Sequence, residues 1–170
     1  MPKIIENVRE KLIEEARRQV AEQGYAKTTI RSIAGACGLA TGTVYNYFPS
    51  KDVLFAAFML ADWEKCLTAM KTCATEDVRG FLGHVCGCLR DYIDSHSGLL
   101  YDRDASVPFA AAFPERHAQL RRQIAEVLKP VCEGRGQFFA DFVAESLLSW
   151  TSAGRSFEEQ YSVLRLLFGD

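Results

Sequence analysis

Residues 28–54 read Thr-Thr-Ile-Arg-Ser-Ile-Ala-Gly-Ala-Cys-Gly-Leu-Ala-Thr-Gly-Thr-Val-Tyr-Asn-Tyr-Phe-Pro-Ser-Lys-Asp-Val-Leu. Thr28 or Thr29 can cap a helix whose inner face is Ile30, Ile33 and Ala34, because a threonine hydroxyl satisfies an orphan N–H of the first turn. Gly38 ends that helix after Cys37 and supplies the positive φ of a tight turn. A second short helix is expected from about Thr41 to Tyr47, ended by Pro49. Ser50 then caps a long helix with Asp52 in its first turn, where the helix dipole favours an anion. Ile33, Ala34, Leu39, Val44 and Phe48 hold the two short helices together. The second presents Thr41, Gly42, Thr43, Tyr45 and Asn46 outward. Small and hydroxylated side chains there permit close approach to base edges and phosphates. A merely solvated helix would carry Lys and Glu instead.

Working outward, Ile5, Val8, Leu12, Ala16 and Val20 recur at helical spacing and predict an amphipathic helix over 3–22, with Gly24 as its stop. The helix capped by Ser50 should run over 51–74. Further helices are expected at about 78–95, briefly near 104–112, from Pro114 to Leu128, from Gln137 to Ser152 and from Phe157 to Phe168. Gly98, Gly134-Arg135-Gly136 and Gly154 read as breaks. No strand-type alternation occurs. The expectation is an all-α chain of about nine helices. A three-helix helix-turn-helix head (1–48) is joined by a long helix to a helical regulatory and dimerisation body (49–170).

The formal net charge of −2 does not by itself suggest a nucleic-acid partner, but its distribution does. Residues 1–51 carry eight Lys or Arg against five Glu, and residues 52–170 carry twelve basic against seventeen acidic groups. A basic head on an acidic body is the asymmetry expected when one end meets phosphates. Apolar residues make up 48% and charged residues 25%, which excludes disorder by composition. No apolar run reaches the length of a membrane span, and the Met-Pro-Lys start lacks a signal-peptide core. The six cysteines are scattered through helix-like sequence and make no disulfide framework. A cytoplasmic protein is expected, with no membrane partner.

The ordered set of Gly24, Thr28-Thr29, Ile33-Ala34, the glycine turn, Gly42-Thr43-Val44-Tyr45-x-Tyr47-Phe48 and Ser50-Lys51-Asp52-x-Leu54 resembles the DNA-binding signature of the TetR (tetracycline repressor) family. The resemblance covers about residues 5–58. It implies that Thr29 donates to a phosphate and that Thr41, Gly42, Thr43 and Asn46 enter the major groove. Tyr45 and Tyr47 would offer hydroxyls to phosphates, and Lys51 and Arg31 would supply charge there. The sequence departs from the family's pattern in two places, at three positions. Leu39-Ala40 stands where Val-Ser is usual, so Thr41 is a candidate for the lost serine cap. Cys37 stands for an alanine and reads as a small buried hydrophobe.

The same resemblance implies a homodimer on a palindromic double-stranded operator, acting as a repressor and released by an unidentified small molecule. The last two predicted helices are apolar over too wide an arc to face one core. Phe138, Phe142, Leu147, Trp150, Tyr161, Leu164 and Phe168 are the interface candidates. Trp63, Phe81, His84, Cys88, Tyr92, Phe109 and Phe113 are the candidates for a ligand pocket. Two alternatives stay open: a DNA-binding dimer with no small-molecule ligand, and a thiol-based sensor of oxidants or electrophiles. An enzyme is not expected, since no nucleophile–base pair, phosphate loop or metal cluster is visible. No cofactor or catalytic residue is assigned.

Overall fold

The computed structural model describes residues 7–74, 77–100 and 113–169. The described residues form nine α-helices and no strand: α1 (Val8–Lys27), α2 (Ile30–Ala36), α3 (Thr41–Tyr47), α4 (Lys51–Lys71), α5 (Val78–Ser95), α6 (Ser97–Leu100), α7 (Phe113–Leu128), α8 (Gln137–Ser152) and α9 (Phe157–Phe168), with a 3-10 turn at Lys129–Cys132 between α7 and α8. The expected helix near 104–112 and the pocket candidate Phe109 lie outside the described residues, as does the side chain of Phe113.

The chain divides into two compact units, Met1–Asp62 with His96–Ala111, and Trp63–Ser95 with Ala112–Asp170. The division falls inside α4, whereas the sequence placed a boundary at 48/49. The reason is packing. Leu54, Phe55 and Phe58 of α4, together with Leu99 of α6, are buried in one cluster with Leu12, Ala16, Ile33, Val44 and Phe48. The first half of α4 is therefore the fourth wall of the head's core.

In the first unit, Gly24 breaks the helical path with φ 81° and ψ 172°, and one further turn carries α1 to Lys27. Gly98, expected as a break, lies inside the short helix α6. Thr29 caps α2 and Ser50 caps α4, the latter by accepting the Val53 N–H at 3.2 Å. Thr41 does not act as a cap. Ala40 occupies the N-cap of α3 with no side-chain hydrogen bond, and Thr41 is the first helical residue.

The second unit is built on Met70, Leu82, Val85, Leu89, Ile124, Leu128, Val143 and Leu147, all fully or almost fully buried. Gly83 lets α5 and α9 close on each other: a Cβ there would sit 3.1 Å from a ring carbon of Phe157. Ser156 and Glu159 form a reciprocal capping box at the start of α9.

Candidate nucleic-acid interface

The turn between α2 and α3 is closed by backbone bonds. The Gly38 N–H reaches the Gly35 carbonyl (3.1 Å) and the Leu39 N–H reaches the Ala34 carbonyl (2.9 Å). Gly38 sits at φ 68°, a region where a Cβ is strained. Val44 (0% exposed) and Phe48 (2%) anchor α3 from below; burial of each contributes about 1.5–3 kcal/mol. Because those two side chains point inward, helical geometry turns Tyr45, Asn46 and Tyr47 outward, and all three are exposed, as is Gly42. Thr41 and Thr43 are half-buried on the flanks of that face. A Cβ at Gly42 would meet nothing within 4 Å. The head's own packing does not require glycine there, and its bareness leaves room for a close neighbour from outside.

The start of α2 is held by a polar clamp that the sequence reading did not find. Thr29 Oγ1 accepts the Ser32 N–H and Ser32 Oγ accepts the Thr29 N–H, both at 3.0 Å. Ser32 Oγ in turn donates to Gln19 Oε1 of α1 at 2.6 Å, and Gln19 Nε2 donates to Glu15 at 2.7 Å. Hydrogen bonding from Arg18 holds the Glu15 carboxyl below its usual range, against a smaller penalty from burial. Gln19 is buried at 6% exposure. Thr29 is exposed, and with its oxygen accepting from Ser32 its O–H is the group turned to donation. Arg31, one residue into α2, is exposed beside it.

Lys51, the first residue of α4, is half-buried. Its ammonium donates to the Tyr25 carbonyl and lies 3.6 Å from the centroid of the Tyr25 ring, a cation–π placement. The Tyr25 hydroxyl donates to Asp52 at 2.6 Å. Tyr25 thus ties the end of α1 to the first turn of α4, and it was missed because one tyrosine after a glycine carries no pattern.

The sequence profile described as "Bacterial regulatory proteins, tetR family" matches residues 12–58, which span α1 to the middle of α4. The chain is 26% identical to the HTH-type transcriptional repressor Rv1474c of Mycobacterium tuberculosis over 98% of its own length and 96% of that protein. It is 44% identical to the HTH-type transcriptional regulator HbdR of Aromatoleum sp. over 32% of its length and 24% of that protein. The fold matches that of Salmonella enterica GusR (TM-score 0.66, 18% identity, 98% and 96% of the two chains). It also matches a TetR-family transcriptional regulator from Pectobacterium atrosepticum (TM-score 0.66, 21% identity, 94% and 91%). Residues 12–58 of this chain carry a TetR-family DNA-binding head.

As a TetR-family head, the α2–α3 pair brings Thr29, Arg31, Gly42, Tyr45, Asn46 and Tyr47 to its surface, with Thr41, Thr43 and Lys51 partly covered. Cys37 is half-buried and its Sγ reaches the Lys11 carbonyl at 3.8 Å. Burial pushes this thiol up, which fits its reading as a small apolar group.

In the second unit, the interface candidates separate into two groups. Leu147 and Leu164 (0% exposed) and Tyr161 (6%) fill the subunit's own core. They are corrected from interface to core residues, because α8 turns that face onto α5 and α7, and α9 turns its own onto α5 and α8. Trp150 and Phe168 are half-buried against that core. Phe138 (84% exposed) and Phe142 are bare on α8, and Val163, Leu166 and Leu167 are bare on α9. None of the last three is among the interface candidates named from the sequence.

Among the described pocket candidates, Trp63, Phe81 and Tyr92 are packed into the core of the second unit. Trp63 is 2% exposed, donates its ring N–H to Gln123 at 2.8 Å and meets the Tyr92 ring edge-on at 5.2 Å. Phe81 is buried. His84 is half-buried, donates to the Ala69 carbonyl at 2.8 Å and lies 3.7 Å from the half-buried Cys88. Burial pushes the Cys66 thiol up to about 12 and raises Cys88 and Cys132. Thiols held in the protonated form are slow nucleophiles. No helix among the described residues is long and apolar enough to cross a membrane.

Proposed function

We propose that two copies of this chain bind an inverted-repeat operator in the cytoplasm and repress transcription. Thr43, Asn46 and Tyr45 of each copy read base edges, while Thr29, Arg31, Tyr47 and Lys51 hold phosphates. The observation that carries this reading is the division of α3 into an inward pair, Val44 and Phe48, and an outward face of Gly42, Tyr45, Asn46 and Tyr47 that is bare of packing. One helix in one groove makes few base contacts, so specificity calls for two half-sites. The exposed apolar row of Phe138, Phe142, Val163, Leu166 and Leu167 supports self-association, since rows of large apolar groups rarely stay in water.

The test is selection from a random duplex library followed by sedimentation of the complex. The expected product is an inverted repeat with half-site centres about 10–10.5 base pairs, or a multiple, apart, bound by two chains. A protein that remains single and ignores duplexes even at low salt would end the proposal.

We further propose that a small molecule acting on the helical body releases the operator. The packing of Trp63 on Tyr92 and Gln123 favours a second reading for the middle of the body, a filled core with no ligand. A broad thermal-shift panel separates the two: the first expects a stabilising compound that also weakens operator binding, and the second expects none.

A further inference from the structure

After α8 the chain turns at Gly154 (φ 80°) and returns through Arg155, whose N–H bonds the Trp150 carbonyl at 2.9 Å. A cleft of about 240 Å³ lies beside this turn, lined by Trp150, Arg155, Glu159, Gln160 and Val163. Gln160 is 1% exposed. Its amide nitrogen donates to the Arg155 carbonyl at 3.0 Å and to Thr151 Oγ1 at 3.1 Å. A carbonyl only accepts, so Arg155 fixes the amide with nitrogen on that side. The amide oxygen is then left buried with no hydrogen-bond partner. An orphan acceptor in a buried place is costly and calls for a donor.

We propose that this cleft binds a small, neutral, planar aromatic molecule through an O–H or N–H donated to Gln160 Oε1, with its ring against Trp150 and Val163. Each property follows from one feature. The ligand must donate because the unpartnered atom is an acceptor. It is aromatic because the half-buried Trp150 offers an indole face, and ring pairs are favoured beyond their area alone. It is small: a cavity of about 150 Å³ holds benzene, so this cleft has room for a substituted or fused ring. It is neutral because Arg155 and Glu159 at the rim pair with each other at 3.3 Å and offset each other's charge. Reaching the buried amide oxygen requires Trp150, the half-buried wall of the cleft, to turn aside as the donor enters. The site is separate from the packed group around Trp63, and its occupancy is read without DNA; it shares Val163 with the exposed apolar row, so sedimentation of each variant beside the titration keeps its failure distinct from a failure of self-association.

The experiment is calorimetric titration of the full chain with phenol and indole, and with anisole and 1-methylindole, which keep the ring but lack the donor. Saturable binding of one phenol or indole per chain is expected, with the methylated partners about tenfold weaker, the loss of one hydrogen bond. Gln160→Leu should erase that discrimination. Because Gln160 also ties Thr151 to Arg155, Val163→Trp is the second variant. Val163 is 49% exposed, so a larger ring there fills the cleft without disturbing the core, and all four probes should lose binding. Equal affinity for the methylated compounds, no saturable binding, or undiminished binding to Val163→Trp would each overturn the proposal. Sedimentation run alongside tests a second copy of the chain as occupant. Probes that bind the monomer alone would assign the cleft to the subunit contact, and the proposal would fail.

Discussion

Arg17 and Asp62, forty-five residues apart, meet in a two-pronged ion pair, Nε to Oδ2 at 2.9 Å and Nη2 to Oδ1 at 2.7 Å. Both side chains are mostly shielded, at 26% and 18% exposure. The same carboxylate stands 3.3 Å from Nε2 of His96, which is buried and stacked on Phe58. Asp62 therefore draws α1, α4 and the start of α6 together at one point of the first unit. Forked Arg–carboxylate pairs of this kind are the strong ones. Asp62→Asn and Arg17→Met should each destabilise the protein by about 1–3 kcal/mol in urea unfolding. The double mutant should lose less than their sum, with a coupling of about 0.5–3 kcal/mol. Additive losses would show that the pair does not act as a unit.

Lys51 and Asn46 sit on the same head but should fail differently. Lys51→Ala removes a charge and should weaken binding to every duplex alike, with the salt slope reduced by about one. Asn46→Ala leaves the salt slope in place and should cost about 1–3 kcal/mol of discrimination at one base position. Anisotropy titrations at several salt concentrations, on specific and scrambled duplexes, separate the two. Indistinguishable behaviour would mean that the outward face of α3 is not the reading face.

The head was largely legible in the sequence because its signals are local. Gly38 marks the turn, Val44 and Phe48 fall one helical turn apart, and Thr29 and Ser50 stand at helix starts; each acts over four residues or fewer. Gln19 was not legible. A glutamine among Glu and Arg on a helix reads as solvated surface, and only the approach of Ser32 from α2 turns it into a buried clamp. The short α6 was missed because Gly98 reads as a break, although His96 and Leu99 are buried there. In the last two helices the apolar arc is so wide that periodicity cannot say which side faces inward. Leu147, Tyr161 and Leu164 were thus read as interface, while Leu166 was not singled out at all.

That division of α8 and α9 yields a paired prediction. Phe138→Glu and Leu166→Glu alter positions that are 84% and 67% exposed, so both should keep helix content and melting temperature while producing monomers in sedimentation. Leu164→Ala empties a fully buried position and should cost about 2–5 kcal/mol of stability. If the exposed pair leaves a dimer intact, the association surface lies elsewhere.

Glu145 links α8 to α7. It accepts from Ser149 at 2.7 Å and faces His117 Nε2 at 2.9 Å, with Arg121 at 4.0 Å. Burial opposes its ionisation, but the Ser149 and His117 hydrogen bonds and the nearby positive charge outweigh burial and hold the carboxyl below its ordinary value of 4.5. A carboxyl lowered in the folded state stabilises the fold above its unfolded value, and that contribution fades as pH falls from about 4.5 through the lowered value. The effect is modest, because Glu145 is 39% exposed and solvent screens it. Glu145→Gln should therefore be less stable than the parent at neutral pH, and the gap should narrow as the solution is acidified below pH 4.5. Urea midpoints across an acid series, compared at fixed ionic strength, measure it. A gap that stays constant or widens on acidification would show that the ionised carboxylate is not what joins these two helices.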